Sequence, residues 1–204
     1  WQGVLVIAAA DSEAALRAEA VFAGHLSAFD YAALSLIGRD APLVTMRLAH
    51  RQAPEADELE LLLAAAGLGA AASDSDGPAV MEFADASRRV AKRARIEAQR
   101  LVAFAFFGEV AAAGWLREAM LAGDPLDGYR RYLFAPLAQP PVARPSRGRV
   151  LCNCLDVAEA DIAQAVADGA DSLDVLKERL GAGTRCGGCL PELRRRFEQL
   201  AATV

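Results

Sequence analysis

A chain of 204 residues with 54% hydrophobic and 24% charged side chains has the apolar content to bury a core in one ordinary domain or two small ones, which excludes disorder over most of its length. A formal charge of −5 lacks the cationic excess on which nucleic-acid binding draws, and the apolar runs at 4–10 and 101–107 fall well short of the roughly 20 residues that cross a bilayer. Neither nucleic acid nor a membrane is expected as a partner, and the composition reads as cytoplasmic.

Residues 4–9 form a short apolar run of strand length, after which Asp11 and Ser12 offer capping side chains to a helix over 13–23 that Gly24 ends. Residues 31–37 and 43–49 predict two strands joined by a hairpin turn at Gly38-Arg39-Asp40. Pro54, Glu55, Asp57 and Glu58 then open a helix over 59–66, and the Ser-, Asp- and Gly-rich stretch 69–78 predicts a loop. Three further strands are expected at 80–84, 89–96 and 101–107. In the second, Arg89, Arg93 and Arg95 alternate with Val90, Ala94 and Ile96, which predicts one wet and one packed face, with Lys92 out of pattern. A helix over 110–121 and a short one over 126–134 complete an α+β domain with a mostly antiparallel sheet, placed at 1–136. Pro136, Pro140, Pro141, Pro145, Ser146 and Gly148 mark 137–149 as a linker. Residues 150–204 are expected to form a small all-α domain. Because the sequence opens at Trp1, and residues 4–10 lack the basic flank of a secretory signal, it reads as a piece of a longer polypeptide.

All four cysteines lie beyond Leu151, as a C-x-C pair (Cys152, Cys154) and a C-x-x-C pair (Cys186, Cys189). A cluster in an Ala- and Leu-rich chain of this kind points to a metal or redox site rather than a disulfide framework. Each pair can chelate from one loop, with helices over 159–167 and 173–180 between them. Cys186 and Cys189 stand at the mouth of a third helix over 192–200, whose positive end favours thiolates, and Gly187 and Gly188 free the backbone to aim N–H groups at sulfur. Residue chemistry alone leaves four separate buried thiols, zinc and an iron–sulfur cluster open, the zinc version being a docking module without redox chemistry. His25 and His50 lack ligand-type neighbours, and Trp115, Met120 and Phe134 suit a core. The basic runs Arg88, Arg89, Lys92, Arg93, Arg95 and Arg194–Arg196 suit either a solvated face or a docking patch for an acidic partner. No phosphate loop, Ser/His/Asp set or carboxylate pair is present, so no catalytic residue is assigned.

Leu151-Cys152-Asn153-Cys154, Val157, Ile162, Ala165-Val166, Gly169-Ala170 and the run from Gly183 through Leu193 resemble the [2Fe–2S] domain named after bacterioferritin-associated ferredoxin. That domain also occurs in bacterial nitrite reductase large subunits and at the C-terminus of assimilatory nitrate reductases. Residues 184–193 look most like the nitrate reductase version, and residues 1–5, 100–108 and 114–116 resemble segments that precede the cluster in those enzymes. The resemblance implies that Cys152, Cys154, Cys186 and Cys189 hold one [2Fe–2S] cluster that relays electrons to a molybdenum catalytic part. It further implies that molybdopterin and a [4Fe–4S] cluster belong to a parent segment absent here, and that a ferredoxin or flavoprotein is the donor. The chain would then be part of an oxidoreductase without catalysing by itself, with the nitrite reductase large subunit as the alternative parent. One departure is Ala158, where the family usually has Ser or Thr; losing that cap weakens the first helix by about 1 kcal/mol.

Overall fold

The computed structural model describes residues 1–38, 42–69, 79–143 and 147–201. They divide into two compact units, one of Trp1–Leu36 with Asp40–Ala143, the other of Ile37–Arg39 with Arg144–Val204. The first carries strands β1 (Gln2–Ala8), β2 (Tyr31–Ile37), β3 (Leu43–Ala49), β4 (Ala79–Asp85), β5 (Val90–Glu97) and β6 (Arg100–Phe107), and helices α1 (Ser12–Ala23), α2 (Ala56–Ala65) and α3 (Ala113–Ala122). The strands form one sheet in the order β2-β3-β1-β6-β5-β4. The pairings β1–β3, β1–β6, β5–β6 and β4–β5 are all antiparallel. The fold is α+β, as the sequence predicts.

The pleat sends alternate residues of each strand to opposite faces, and here both faces are covered. Leu5, Val44, Met46, Leu48, Ala103, Ala105 and Phe107 pack with Ala15 and Phe22 of α1 and Leu62 and Leu63 of α2. Val6, Leu43, Ala94, Phe104 and Phe106 pack with Trp115, Leu116 and Ala119 of α3. A strand buried on both sides must be apolar at consecutive positions, and the run from Ala103 to Phe107 meets that demand. Local chemistry sets the helix ends: the Asp11 carboxylate accepts the Ala14 N–H at 2.7 Å to start α1, and Gly123, at φ 65°, closes α3.

Two local expectations change. The helix predicted at 126–134 is a pair of 3-10 turns, Leu126–Gly128 and Arg130–Tyr132, because Tyr129 leaves helical geometry at φ −137°. The Tyr129 ring packs edge-on against Trp115 at 5.5 Å, between the buried Leu126 and Leu133. The second unit is not purely helical either, since a short two-stranded ladder precedes its helices. Arg39 and Asp40 of the expected hairpin turn, and residues 70–78 of the expected loop, lie outside the described residues.

Lys92 is the main surprise of the basic run. It keeps the alternation of β5, on the same face as Ala94 and Ile96, and is only 2% exposed. Its ammonium pairs with Glu109, donates to the Phe134 carbonyl at 2.9 Å and lies 4.8 Å from the centre of the Phe106 ring. On the opposite face Arg93 pairs with Glu60 at 2.9 Å and Glu82 at 3.3 Å and donates to the Leu68 carbonyl, while Arg95 pairs with Glu97 and donates to the Gly67 carbonyl. The run is therefore neutralised within its own unit and offers no free patch over 92–95. His50 is likewise structural: its Nδ1 accepts the Asp30 N–H, and its carbonyl accepts the Trp1 nitrogen.

Removing one member of a buried ion pair strands the other charge, which typically costs about 3–5 kcal/mol, and less where the stranded group reaches water. Glu109→Gln strands Lys92, only 2% exposed, while leaving an amide oxygen in the carboxylate's place, so it is expected to destabilise the first unit by about 3 kcal/mol, at the low end of that range. Lys92→Met strands Glu109, a quarter exposed, and should cost less, despite the deeper burial of the lysine. Both tryptophans, Trp1 and Trp115, lie in the first unit, so the urea midpoint of their fluorescence measures the two variants.

Candidate metal centre

The second unit begins with a ladder of β7 (Val150–Cys152) and β8 (Val157–Ala158), followed by α4 (Glu159–Ala167), α5 (Leu173–Leu180) and α6 (Leu190–Ala201). Cys152 ends β7 opposite Val157, and Cys154 rides on the intervening turn, which Asp156 closes at φ 53°. Leu151, Leu155, Val157, Ile162, Leu176, Ala182 and Leu193 form a core that includes Cys152 and Cys189 themselves. The cysteines thus run from inside to outside: Cys152 and Cys189 are buried, Cys154 is intermediate and Cys186 is exposed.

Arg147 holds the first loop in shape. Its guanidinium donates to the Asp156 carboxylate and to the Asp156 carbonyl, both at 2.7 Å, and to the Asp161 carboxylate at 2.5 Å. The Asp161 bond, ahead of that from Asp156, holds the guanidinium above its usual range against the opposing effect of burial. Asp161 also accepts the Ala158 N–H at 2.8 Å, which keeps the returning half of a capping box although alanine offers no oxygen. The Arg149 and Arg147 carbonyls accept the N–H groups of Glu159 and Ala160, so backbone does for α4 what a Ser or Thr side chain would do. That close approach requires Gly148, at φ 75°, where a Cβ would sit 2.7 Å from a Glu159 carboxylate oxygen. Arg149 reaches Glu192 at the start of α6, and Glu192 is held below the usual carboxylate range, first by Arg195 and also by Arg149.

The second pair lies where α5 gives way to α6. Gly181 ends α5 in the left-handed region, and Cys189 caps α6, its carbonyl accepting the Leu193 N–H at 2.9 Å. The Gly188 N–H bonds the Cys186 sulfur and lowers that thiol, as does its contact with Cys154. The Gly183 N–H bonds the Cys189 sulfur, although burial, followed by Cys152, pushes that thiol up. Cys154 is pushed up to about 11 by burial and by the neighbouring Cys152 and Cys186.

The two loops bring all four sulfurs together. Cys152 Sγ lies 3.7 Å from Cys154 Sγ, Cys154 Sγ lies 3.7 Å from Cys186 Sγ, and Cys152 is near enough to Cys189 to push its thiol up. They form a row rather than a closed cage, and among the described residues no group of three or more His, Cys, Asp or Glu side chains is arranged to hold a single metal ion. Sequence reasoning had found the cysteines and the Gly188 N–H. It missed Gly183, whose signal was its place two residues after a helix-ending glycine, and Arg147, which composition had assigned to the linker. Arg185 was missed as well; it donates to the Cys154 carbonyl at 3.4 Å and so joins the two loops.

Residues 150–199 match the family described as the BFD-like [2Fe-2S] binding domain, so the chain contains such a domain. It is 35% identical over 82 residues, 40% of its length, to a nitrate reductase of Klebsiella oxytoca, of which it covers 9%. It is 28% identical over 145 residues, 67% of its length, to the nitrite reductase [NAD(P)H] large subunit of the same organism, covering 15% of it. The nitrite reductase (NADH) large subunit of Escherichia coli (strain K12) is 28% identical over 134 residues, 61% of the chain and 16% of that protein. The chain therefore spans less than a fifth of the length of these relatives. No solved structure matches it.

Gly183 and Gly169 both adopt positive φ, which costs an L-residue about 1–2 kcal/mol. A Cβ at Gly169 meets nothing within 4 Å, while one at Gly183 would lie 2.3 Å from a Leu190 methyl. Gly183→Ala is therefore expected to cost more than Gly169→Ala and to loosen the start of α6 specifically. Hydrogen exchange of the amides of Leu193 and its neighbours measures the difference.

Proposed function

We propose that this chain is an electron-transfer module in which Cys152, Cys154, Cys186 and Cys189 hold one [2Fe–2S] cluster that serves the catalytic part of a larger nitrogen-oxyanion reductase. The single observation that carries the reading is the convergence of four sulfurs from two loops within the matched domain, three of them linked by contacts of 3.7 Å and the fourth beside Cys152. A bound [2Fe–2S] cluster supplies one-electron chemistry there, with a potential set by ligand charge, hydrogen bonds to sulfur and exposure. The surrounding residues fit such a group. Gly188 and Gly183 give N–H bonds to sulfur, the N-terminus of α6 presents its positive end beside Cys189, and Arg147 and Arg185 fix the loops without occupying a ligand position. Exposed Cys186 is the side from which an electron partner can approach, and buried Cys152 and Cys189 anchor the site in the core.

The higher identity to the nitrate reductase supports an assimilatory molybdenum enzyme as the parent, with molybdopterin and a [4Fe–4S] cluster in segments beyond this chain. The longer alignments with nitrite reductase large subunits support the second reading, in which the same module belongs to such a subunit. In both readings the protein works in the cytoplasm with a ferredoxin or flavoprotein donor, and it is organised as an α+β domain at 1–136, a linker at 137–149 and the cluster domain at 150–204. No helix among the described residues is long and apolar enough to cross a membrane.

The purified chain is expected to be brown, to bleach with dithionite and to carry about two irons and two acid-labile sulfides. A colourless chain with stoichiometric zinc overturns the redox reading in favour of a zinc-built docking module. Cys186→Ser should lose or destabilise the cluster while leaving the fluorescence-detected unfolding of the first unit unchanged. In the full-length parent the same variant should keep activity with an artificial dye that feeds the catalytic part and lose it with the physiological donor; equal loss with both would make the domain structural.

A further inference from the structure

A cavity of about 350 Å³ opens in the first unit between β1, β3 and the first turn of α3, in a part of the sequence that holds no cysteine. Its polar lining comes from Gln2, Tyr31, Thr45, Arg47 and Arg117, and no described Asp or Glu lines it. Thr45 is 1% exposed, and its hydroxyl has no hydrogen-bond partner among the described residues. It sits opposite Val6, on the sheet face that packs against α3. A buried hydroxyl left without a partner is rare in native proteins, and a bound molecule is one of the few things that satisfies it.

The helix that opens onto this cavity, α3, has neither a capping side chain, its cap being Ala112, nor an acid in its first turn. Glu109, three residues before the cap, is engaged by the Ala111 N–H and by Lys92. Gly114, on that first turn, lines the cavity, and a Cβ built there meets nothing within 4 Å, so its backbone can be approached closely. Arg47 is exposed at the rim and makes no ion pair among the described residues.

We propose that this cavity binds a small oxyanion, carboxylate or phosphate in type, held by the N-terminus of α3, the Thr45 hydroxyl and the guanidinium groups of Arg47 and Arg117. The site is independent of the cysteines and of the reading placed on them.

Thermal unfolding of the 204-residue chain, followed by tryptophan fluorescence, tests it in sodium phosphate, sodium acetate and sodium chloride series held at one ionic strength. Phosphate, acetate or both should raise the midpoint saturably, as a ligand bound to the native state does, while chloride does not. A response to one of the two alone supports the site and identifies tetrahedral or planar geometry. Arg47→Gln, at an exposed position, and Thr45→Val should each raise the half-saturating concentration by about tenfold. Gly114→Asp brings its own carboxylate into open space, and should raise the midpoint without added anion and abolish the response. A rise that does not saturate and is equal in wild type and Arg47→Gln, or no response to either oxyanion at tens of millimolar, overturns the proposal.

Discussion

Four thiols cannot be drawn into sulfur contact at the edge of an apolar core without opposing their own ionisation, and the second unit is organised around that constraint. Burial and mutual proximity push Cys154 and Cys189 up, so the fold must supply positive polarity nearby. It does so with backbone rather than with side-chain cations: the N–H groups of Gly188 and Gly183, and the mouth of α6 at Cys189. The glycines at 183 and 187, both at positive φ, follow from the same demand, because the chain must turn sharply enough for amides to face sulfur. Arg147, Arg149 and Arg185 sit one step further out, tying the loops to Asp156, Asp161, Glu192 and the Cys154 carbonyl.

The first unit answers a different constraint. A six-stranded sheet covered on both faces has a central strand with no solvent side, and β6 supplies one in which Ala and Phe alternate. Ala103 and Ala105 face α1 and α2, with Phe107 at the end of the strand, and Phe104 and Phe106 fill the side under α3. Lys92 is the exception in that apolar interior; it is tolerated because a carboxylate, a carbonyl and an aromatic face meet it at once. Trp115 extends the same layer by donating its indole N–H to the Leu137 carbonyl at 2.8 Å, which fastens the start of the proline-rich stretch to this unit.

What could be read from the sequence was what local chemistry decides. The run from Ala103 to Phe107 announced a buried strand, Asp11 and Gly24 bracketed a helix, and the two cysteine pairs with their glycines announced a shared site. What could not be read depended on partners remote in sequence. Lys92 looked solvated because Glu109 and the Phe134 carbonyl, which neutralise it, are 17 and 42 positions away. The stretch 126–134 read as a short helix, whereas Tyr129, its ring against Trp115, breaks it into two 3-10 turns. Arg147 sat in a proline-rich stretch whose composition outweighed the one fact that mattered, namely that Gly148 lets the backbone lie against α4.

The pairing of β1 with β6 joins residues 2–8 to residues 100–107, with β3 on the other flank of β1. A strand at the start of the sequence and at the middle of the sheet stays half-paired until about a hundred further residues have been synthesised. Closing so long a loop is slow, and in the interval the run Val4-Leu5-Val6-Ile7 presents an unpaired apolar edge to other chains. The second unit has a shorter wait, since its ladder closes over a turn of a few residues and α4 packs on α5 and α6, which follow it within some forty residues. The polypeptide therefore couples a late-closing, aggregation-exposed scaffold to a fast-closing module, and its yield on synthesis is governed by the half that contains no cysteine.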